Sequence, residues 1–208
     1  MQKVVFIGDS ITDAHRRSDP RQLGNGYVNL IAEEFDRRGS SVDVVNRGVS
    51  GDSVGDVRAR WQIDVLDLEP DVLTVYIGIN DTVRTWFQGF PTPPAQFEAD
   101  LDDVLTRAAA HGIGSIIVIE PFFLTGVPFP GPWKAGEDFA RADLDSKRPI
   151  VQALANAHGA TFIPLQAAMD AAVEERGAAL LAQDGVHPSG LGDRLIARLW
   201  CEAYDSLG

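Results

Sequence analysis

Cysteine is almost missing from this chain. Cys201 is the only one in 208 residues, so no internal disulfide can form. Stability must come from a core, and a chain of this length can build one without covalent staples. Cys201 lies in the helical-looking stretch Leu199-Trp200-Cys201-Glu202-Ala203 and reads as a packed thiol. Positive charge is also scarce. Lys and Arg number 18 against 30 Asp and Glu, a formal net charge of −12. That balance disfavours nucleic acid or an anionic membrane as a partner. It would repel an anionic polymer too, so a neutral small substrate fits better. No apolar run approaches the length that crosses a bilayer. The run after Lys3 is too short for the apolar region of a signal peptide and leads into polar residues, so a cytoplasmic protein is expected. Internal repeats, low-complexity segments and interdomain linkers are absent, and one domain over residues 1–208 is expected.

What is present alternates. Five apolar runs read as strands: Val4–Ile7, Val42–Val45, Val72–Ile77, Ser115–Ile119 and Thr161–Ile163. Between them the apolar residues recur at helical spacing. Tyr27–Arg38 stops at Gly39. Asp56–Leu68 places Val57, Trp61, Val65 and Leu68 on one face. Phe97–His111 stops at Gly112, and Asp145–His158 stops at Gly159, with Pro149 limiting how early that helix begins. Gln166–Arg176 and Leu191–Leu207 complete the set. Strands alternating with helices predict an α/β protein with a parallel sheet and helices on both faces.

Two loops stand out. Residues 84–94 read RTWFQGFPTPP and residues 121–136 read PFFLTGVPFPGPWKAG. Both follow strand ends, and loops of this make-up often wall binding sites. Their aromatics, with Trp86 and Phe122 as the candidates for substrate contact, could stack on a sugar, line an acyl pocket or pack between subunits.

Four polar stretches fall at or near the predicted carboxyl edge of the sheet, where open α/β sheets keep their ligands. They are Gly8-Asp9-Ser10, Asn46 to Ser53 (NRGVSGDS), Gly78-Ile79-Asn80-Asp81, and Asp184 to Ser189 (DGVHPS). Acyl transfer needs a nucleophile, a base, a group that orients the base, and donors for the oxyanion. Ser10 can be the nucleophile, His187 the base, and Asp184 the orienting acid three residues earlier in the same loop. The backbone N–H groups of Ser10 and Gly51 and the Asn80 amide can serve as oxyanion donors. Gly48 competes with Gly51 for that role.

These four blocks, in this order and spread over nearly the whole chain, resemble the SGNH hydrolases, also called the GDSL esterase/lipase family. The resemblance implies a flavodoxin-like three-layer α/β/α sandwich on a five-stranded parallel sheet, with no cofactor and no metal. It implies a triad of Ser10, Asp184 and His187 and an oxyanion hole of Ser10, Gly51 and Asn80. A narrower similarity, carried by FIGDSITD at 6–13, Gly26-Tyr27-Val28, NRGVSGDSVGDVRARW at 46–61, IGIND at 77–81, Pro121-Phe122 and DGVHPS, is to intracellular bacterial acetylxylan esterases of that family. It implies hydrolysis of acetyl esters on xylo-oligosaccharides or related carbohydrates by a homo-oligomer acting on a small acylated substrate.

Blander and rival readings stand beside these. Ser10 alone is a turn serine or helix cap, and a lone Asp-x-x-His carries little. Asp9 and Asp81 are expected to hydrogen-bond loop backbone. His111 and His158 precede glycines at helix ends, where a cation suits the dipole, and His15 reads as a loop residue. A general short-chain carboxylesterase or a lysophospholipase is the alternative within the class. A metal-dependent phosphatase using Asp9, Asp13, Asp81, Asp184 and His187, and a non-catalytic carbohydrate-binding protein, are the alternatives outside it.

Overall fold

The computed structural model describes residues 1–84, 92–127 and 136–207. Five parallel strands form its sheet: β1 (Gln2–Gly8), β2 (Val42–Gly48), β3 (Val72–Tyr76), β4 (Ser115–Ile119) and β5 (Thr161–Ile163), in the order β2-β1-β3-β4-β5. Along β1, Val4 and Phe6 face one way and Val5 and Ile7 the other, as the period of two requires. All four are completely buried, which explains an unbroken apolar run in place of alternation.

Helices cover both faces. On one side lie α2 (Tyr27–Arg38), α7 (Leu165–Arg176), the short α8 (Ala178–Leu181) and α9 (Gly190–Asp205). Phe6, Tyr27, Tyr76, Phe35 and Trp200 form an aromatic chain through this layer, and Trp200 Nε1 donates to the buried Thr74 Oγ1 at 2.8 Å. On the other side α3 (Val54–Asp64) and α5 (Pro94–Ala110) pack Val57, Trp61, Leu101 and Val104 against Val5, Ile7, Leu73 and Val75. The result is the three-layer α/β/α sandwich expected.

The differences from expectation are local. A helix was expected to start at Asp145, yet α6 runs Glu137–Ala157 straight through Pro149. Proline removes one backbone bond and disfavours helical backbone at Arg148. Leu144 and Lys147 before it and Val151 and Ala155 after it are buried, so packing on both sides outweighs that cost. The helix expected at Asp56–Leu68 ends at Asp64 and passes into a 3-10 turn at Leu66–Leu68. Its start moves to Val54 because Ser53 and Asp56 form a reciprocal capping box. Two four-residue helices, α1 (Ser10–Asp13) and α4 (Asn80–Val83), follow β1 and β3 directly. No described helix is long and apolar enough to cross a membrane.

Candidate active site

In the order 2-1-3-4-5 the connections leave β1 and β3 for opposite faces, and the crevice beyond their carboxyl ends is where such sheets bind ligands. Ser10 follows β1 and Asn80 follows β3, so the topology puts both at that crevice. Gly8 ends β1 under tight restraint. A Cβ there would lie 2.3 Å from Thr12 Oγ1 and 2.4 Å from the Tyr76 carbonyl oxygen. Only glycine fits where the strand folds back into α1. Asp9 caps that turn, accepting the Ile11 N–H at 2.9 Å, and Ser10 is the first helical residue.

Ser10 Oγ lies 2.9 Å from His187 Nε2, and His187 Nδ1 lies 2.6 Å from Asp184 Oδ2. The first pair is separated by 177 positions in the chain. Asp184 Oδ1 accepts two backbone bonds, from Val186 N at 3.0 Å and His187 N at 2.7 Å. One carboxylate therefore shapes the loop and grips the ring. Partial burial alone would raise the Asp184 pKa, but the hydrogen bonds from the His187 ring and from the two backbone groups outweigh it and hold the carboxyl at about 2. The same imidazole–carboxylate bond raises the His187 pKa against the opposing effect of partial burial, with the charge of Asp9 adding to it. The pair is thus an ionised carboxylate holding Nδ1 protonated, with Nε2 facing the hydroxyl.

Asn80 follows β3 at the same sheet edge as Ser10, and its amide bonds the Asp52 carbonyl next to Gly51, the other expected oxyanion donor. Gly51 has φ +87°, a left-handed conformation that favours glycine, and an added Cβ would meet no protein atom within 4 Å. Gly48 is the poorer candidate, because its N–H already donates to Asn46 Oδ1 at 2.8 Å. The Asn80 Nδ2 group gives one hydrogen to the Asp52 carbonyl at 3.0 Å and keeps a second.

Polar side chains that sequence reasoning passed over brace the blocks and the segments around them. Asn46 is buried and donates to the Thr12 and Leu23 carbonyls at 2.6 and 2.8 Å. Arg60 binds the Asp52 and Asp64 carboxylates and the Arg47 and Gly8 carbonyls. Arg16 Nε donates to the Gly48 carbonyl at 2.7 Å. Asp193, from α9, takes the Tyr27 N–H at 3.1 Å, and burial pushes its carboxyl up to about 7. Only Asn46 lies inside a block that the sequence marks, and none of the four carries chemistry that would have singled it out.

Two expectations about contact residues need restating. Phe122 was expected to touch substrate. It is instead wholly buried in the core on the α9 side, so no part of its ring reaches the crevice. Trp86 lies outside the described residues, as do Phe87, Phe90, Phe129 and Trp133. Asp9 and Asp81 were expected to bond loop backbone; they bond backbone at helix starts instead, Asp9 the Ile11 N–H of α1 and Asp81 Oδ2 the Val54 N–H of α3 at 3.0 Å. Burial pushes Asp9 up to about 7 and Asp81 up to about 6. His158 closes α6 and pairs with Asp102 Oδ1 at 2.7 Å. Among the described residues no group of three His, Cys, Asp or Glu is arranged to hold a metal ion. The carboxylates considered as phosphatase ligands are engaged elsewhere, Asp13 with Ser50 and Arg16. Cys201 is half-buried against the α9 layer, and burial pushes its thiol up to about 11.

Comparison with known proteins points the same way as the geometry. Residues 6–195 match the model of the GDSL-like lipase/acylhydrolase family. The chain is 32% identical to an acetylxylan esterase of Geobacillus stearothermophilus, over 95% of this chain and 91% of that one. A structure described as a GDSL-like lipase from Parabacteroides merdae superposes with a TM-score of 0.89 at 31% identity, covering 100% of this chain and 96% of that one. A catalytic mutant of the Geobacillus esterase with a histidine changed to alanine superposes with a TM-score of 0.85 at 30% identity, covering 97% of this chain and 93% of that one. Catalytic mutants of the same esterase at an aspartate and at a serine superpose equally well.

Proposed function

The chain belongs to the GDSL-like lipase/acylhydrolase family and is a carboxylic-ester hydrolase, and from that premise we propose that Ser10, His187 and Asp184 act as its triad on short acyl esters, chiefly acetyl groups of xylo-oligosaccharides or related sugars. The observation that carries this reading is the unbroken chain of hydrogen bonds from Ser10 Oγ through both nitrogens of His187 to Asp184.

Ser10 Oγ attacks the ester carbonyl while His187 Nε2 takes its proton. Asp184 steadies the resulting imidazolium and does not itself take the proton. Negative charge on the carbonyl oxygen is met by the N–H groups of Ser10 and Gly51 and the free hydrogen of the Asn80 amide. The tetrahedral intermediate collapses, the C–O bond to the alcohol breaks, and His187 gives its proton to the departing hydroxyl. Water, deprotonated by the same imidazole, then attacks the acyl-Ser10 carbonyl. The intermediate collapses, His187 returns the proton to Ser10 Oγ, and the carboxylic acid leaves and ionises in solvent. The acetyl preference rests on the acetylxylan esterase relative, which matches over almost the whole of both chains.

The test is hydrolysis of acetylated xylose beside nitrophenyl acetate, butyrate and octanoate, with wild type and Ser10→Ala. Preference for acetyl, deacetylation of the sugar and loss of all turnover in Ser10→Ala are expected. Faster cleavage of octanoate would overturn the sugar-acetyl assignment in favour of a broader carboxylesterase or lysophospholipase. Full activity in Ser10→Ala would overturn the mechanism.

A further inference from the structure

Behind the Asn80 donor sits a charged group for which the mechanism above has no use. Lys147, in the middle of α6, has no exposed surface. Its ammonium pairs with Asp143, one turn earlier on the same helix, and lies 3.3 Å from Thr82 Oγ1. Thr82 Oγ1 donates to the same Asp143 oxygen at 2.6 Å. These three groups form a polar cluster between α6 and α4.

The other end of α4 is the site. Asn80 is its first residue and Thr82 its third. A helix of four residues cannot fix its own direction, because its few internal bonds scarcely offset the cost of forming one turn. It is aimed by what grips it from outside. On the site-facing side Asn80 Nδ2 holds the Asp52 carbonyl and Asp81 holds the Val54 N–H. On the far side the hydrogen bond from Thr82 to Asp143, backed by Lys147, holds α4 against the long helix. Lys147 also acts on Asp81: burial raises that carboxyl, while the Val54 bond and the lysine's charge oppose the rise.

A buried ion pair is a poor device for stability alone, since an apolar pair of similar volume is often as good or better. Its use here is geometric. We propose that Lys147, Asp143 and Thr82 are positioning residues that lock α4 and so aim the Asn80 amide at the oxyanion. This rests on Asn80 being an oxyanion donor. A donor out of line weakens binding of the transition state more than binding of the substrate, so the effect belongs in kcat and not in KM.

The experiment is a double-mutant cycle on nitrophenyl acetate hydrolysis. Thr82→Val deletes the hydroxyl at almost constant volume, Thr82→Ser keeps it, and Asn80→Ala removes the donor. We expect Thr82→Val to lower kcat about tenfold with KM within twofold, as a partial loss of one donor. Thr82→Ser recovers most of that, and Thr82→Val added to Asn80→Ala changes kcat less than twofold. Lys147→Met with Asp143→Leu removes the pair without stranding a charge. It should fold as well as wild type and show the same loss in kcat. Thr82→Val lowering kcat as much with Asn80→Ala as without it would overturn the proposal. So would wild-type kcat in either Thr82→Val or the paired exchange. A slow Asn80→Ala beside a fast Thr82→Val refutes positioning alone, whereas a fast Asn80→Ala refutes the oxyanion assignment on which it rests.

Discussion

Replacing Asp184 by Asn tests the triad at the place where the structure leaves least freedom. The carboxylate accepts three hydrogen bonds: two from backbone N–H groups on Oδ1, at 2.7 and 3.0 Å, and one from the imidazole on Oδ2, at 2.6 Å. An asparagine has one oxygen and one NH2 to share among them. If its oxygen faced the ring, its NH2 would confront two backbone donors, and each stranded donor costs about 1–3 kcal/mol. The oxygen therefore stays on the backbone and the NH2 points at Nδ1. Nδ1 must then accept, which moves the ring proton to Nε2. A protonated Nε2 facing Ser10 cannot take the serine proton. The geometry survives and the tautomer is wrong. A loss of about a thousandfold to ten-thousandfold in kcat is the scale of such a change, roughly 4–5 kcal/mol in the barrier. The assay is steady-state hydrolysis of nitrophenyl acetate near pH 8, with nitrogen NMR of the His187 ring to report which nitrogen carries the proton. Substrate contacts are untouched, so KM should stay within a few-fold. An Asp184→Asn enzyme keeping more than a tenth of wild-type kcat would refute the reasoning, and so would a ring still protonated at Nδ1.

Four further outcomes are expected. The kcat/KM of wild type should rise with pH as His187 loses its proton, with an inflection above the 6.5 of an ordinary imidazole, because the bond to Asp184 raises it; a flat profile from about pH 5 to 8 would contradict a histidine base. The stability that this raised pKa contributes is complete below pH 6.5 and is lost as pH climbs through the folded-state value, so urea midpoints should fall over that window. Asp9→Asn should gain on wild type in urea midpoint between about pH 4 and 7, because burial keeps Asp9 protonated up to about 7 in the folded protein while the unfolded chain ionises near 3.8. Gly8→Ala should cost about 3 kcal/mol in urea titration, since its Cβ would overlap the Tyr76 carbonyl, and a cost under about 1 kcal/mol would show that the strand end can yield.

Much of this molecule is legible in the residues, and what is not has a common cause. All five strands read from apolar runs, but β2 extends past Val45 through Asn46-Arg47-Gly48. Hydrophobicity ends there although pairing does not: Asn46 is buried with its amide on the Thr12 and Leu23 carbonyls, and Gly48 pairs with Gly8. The helices α1 and α4 escape detection because four residues are too few to show a period. The proposed site could be picked out because acyl transfer demands particular residue types, and those stand in compact blocks. Its supports are not. Asp193 meets Tyr27 across 166 positions, and Lys147 meets Thr82 across 65. An Asp143–Lys147 pair one turn apart on a helix reads as a solvated face, and nothing local reports that Thr82 awaits it.

This division follows from what a hydrolytic site has to be. The crevice must admit water and an ester, so its walls cannot be cemented by apolar packing as the sheet beneath them is. Polar bonds must hold the blocks in register, and each such group is stable only when its donors and acceptors are filled. Arg60 meets that condition for two blocks at once, with carbonyls of both β1 and β2 and the carboxylate of Asp52 on one planar fork. Lysine has the same charge but a single nitrogen and no fixed fork. Arg60→Lys should therefore lower kcat through a loosened Gly51 segment and reduce stability by about 1–2 kcal/mol. Wild-type turnover in that variant would mean that the sheet edge alone sets the spacing of Ser10 and Gly51, and that the guanidinium merely fills space beside them.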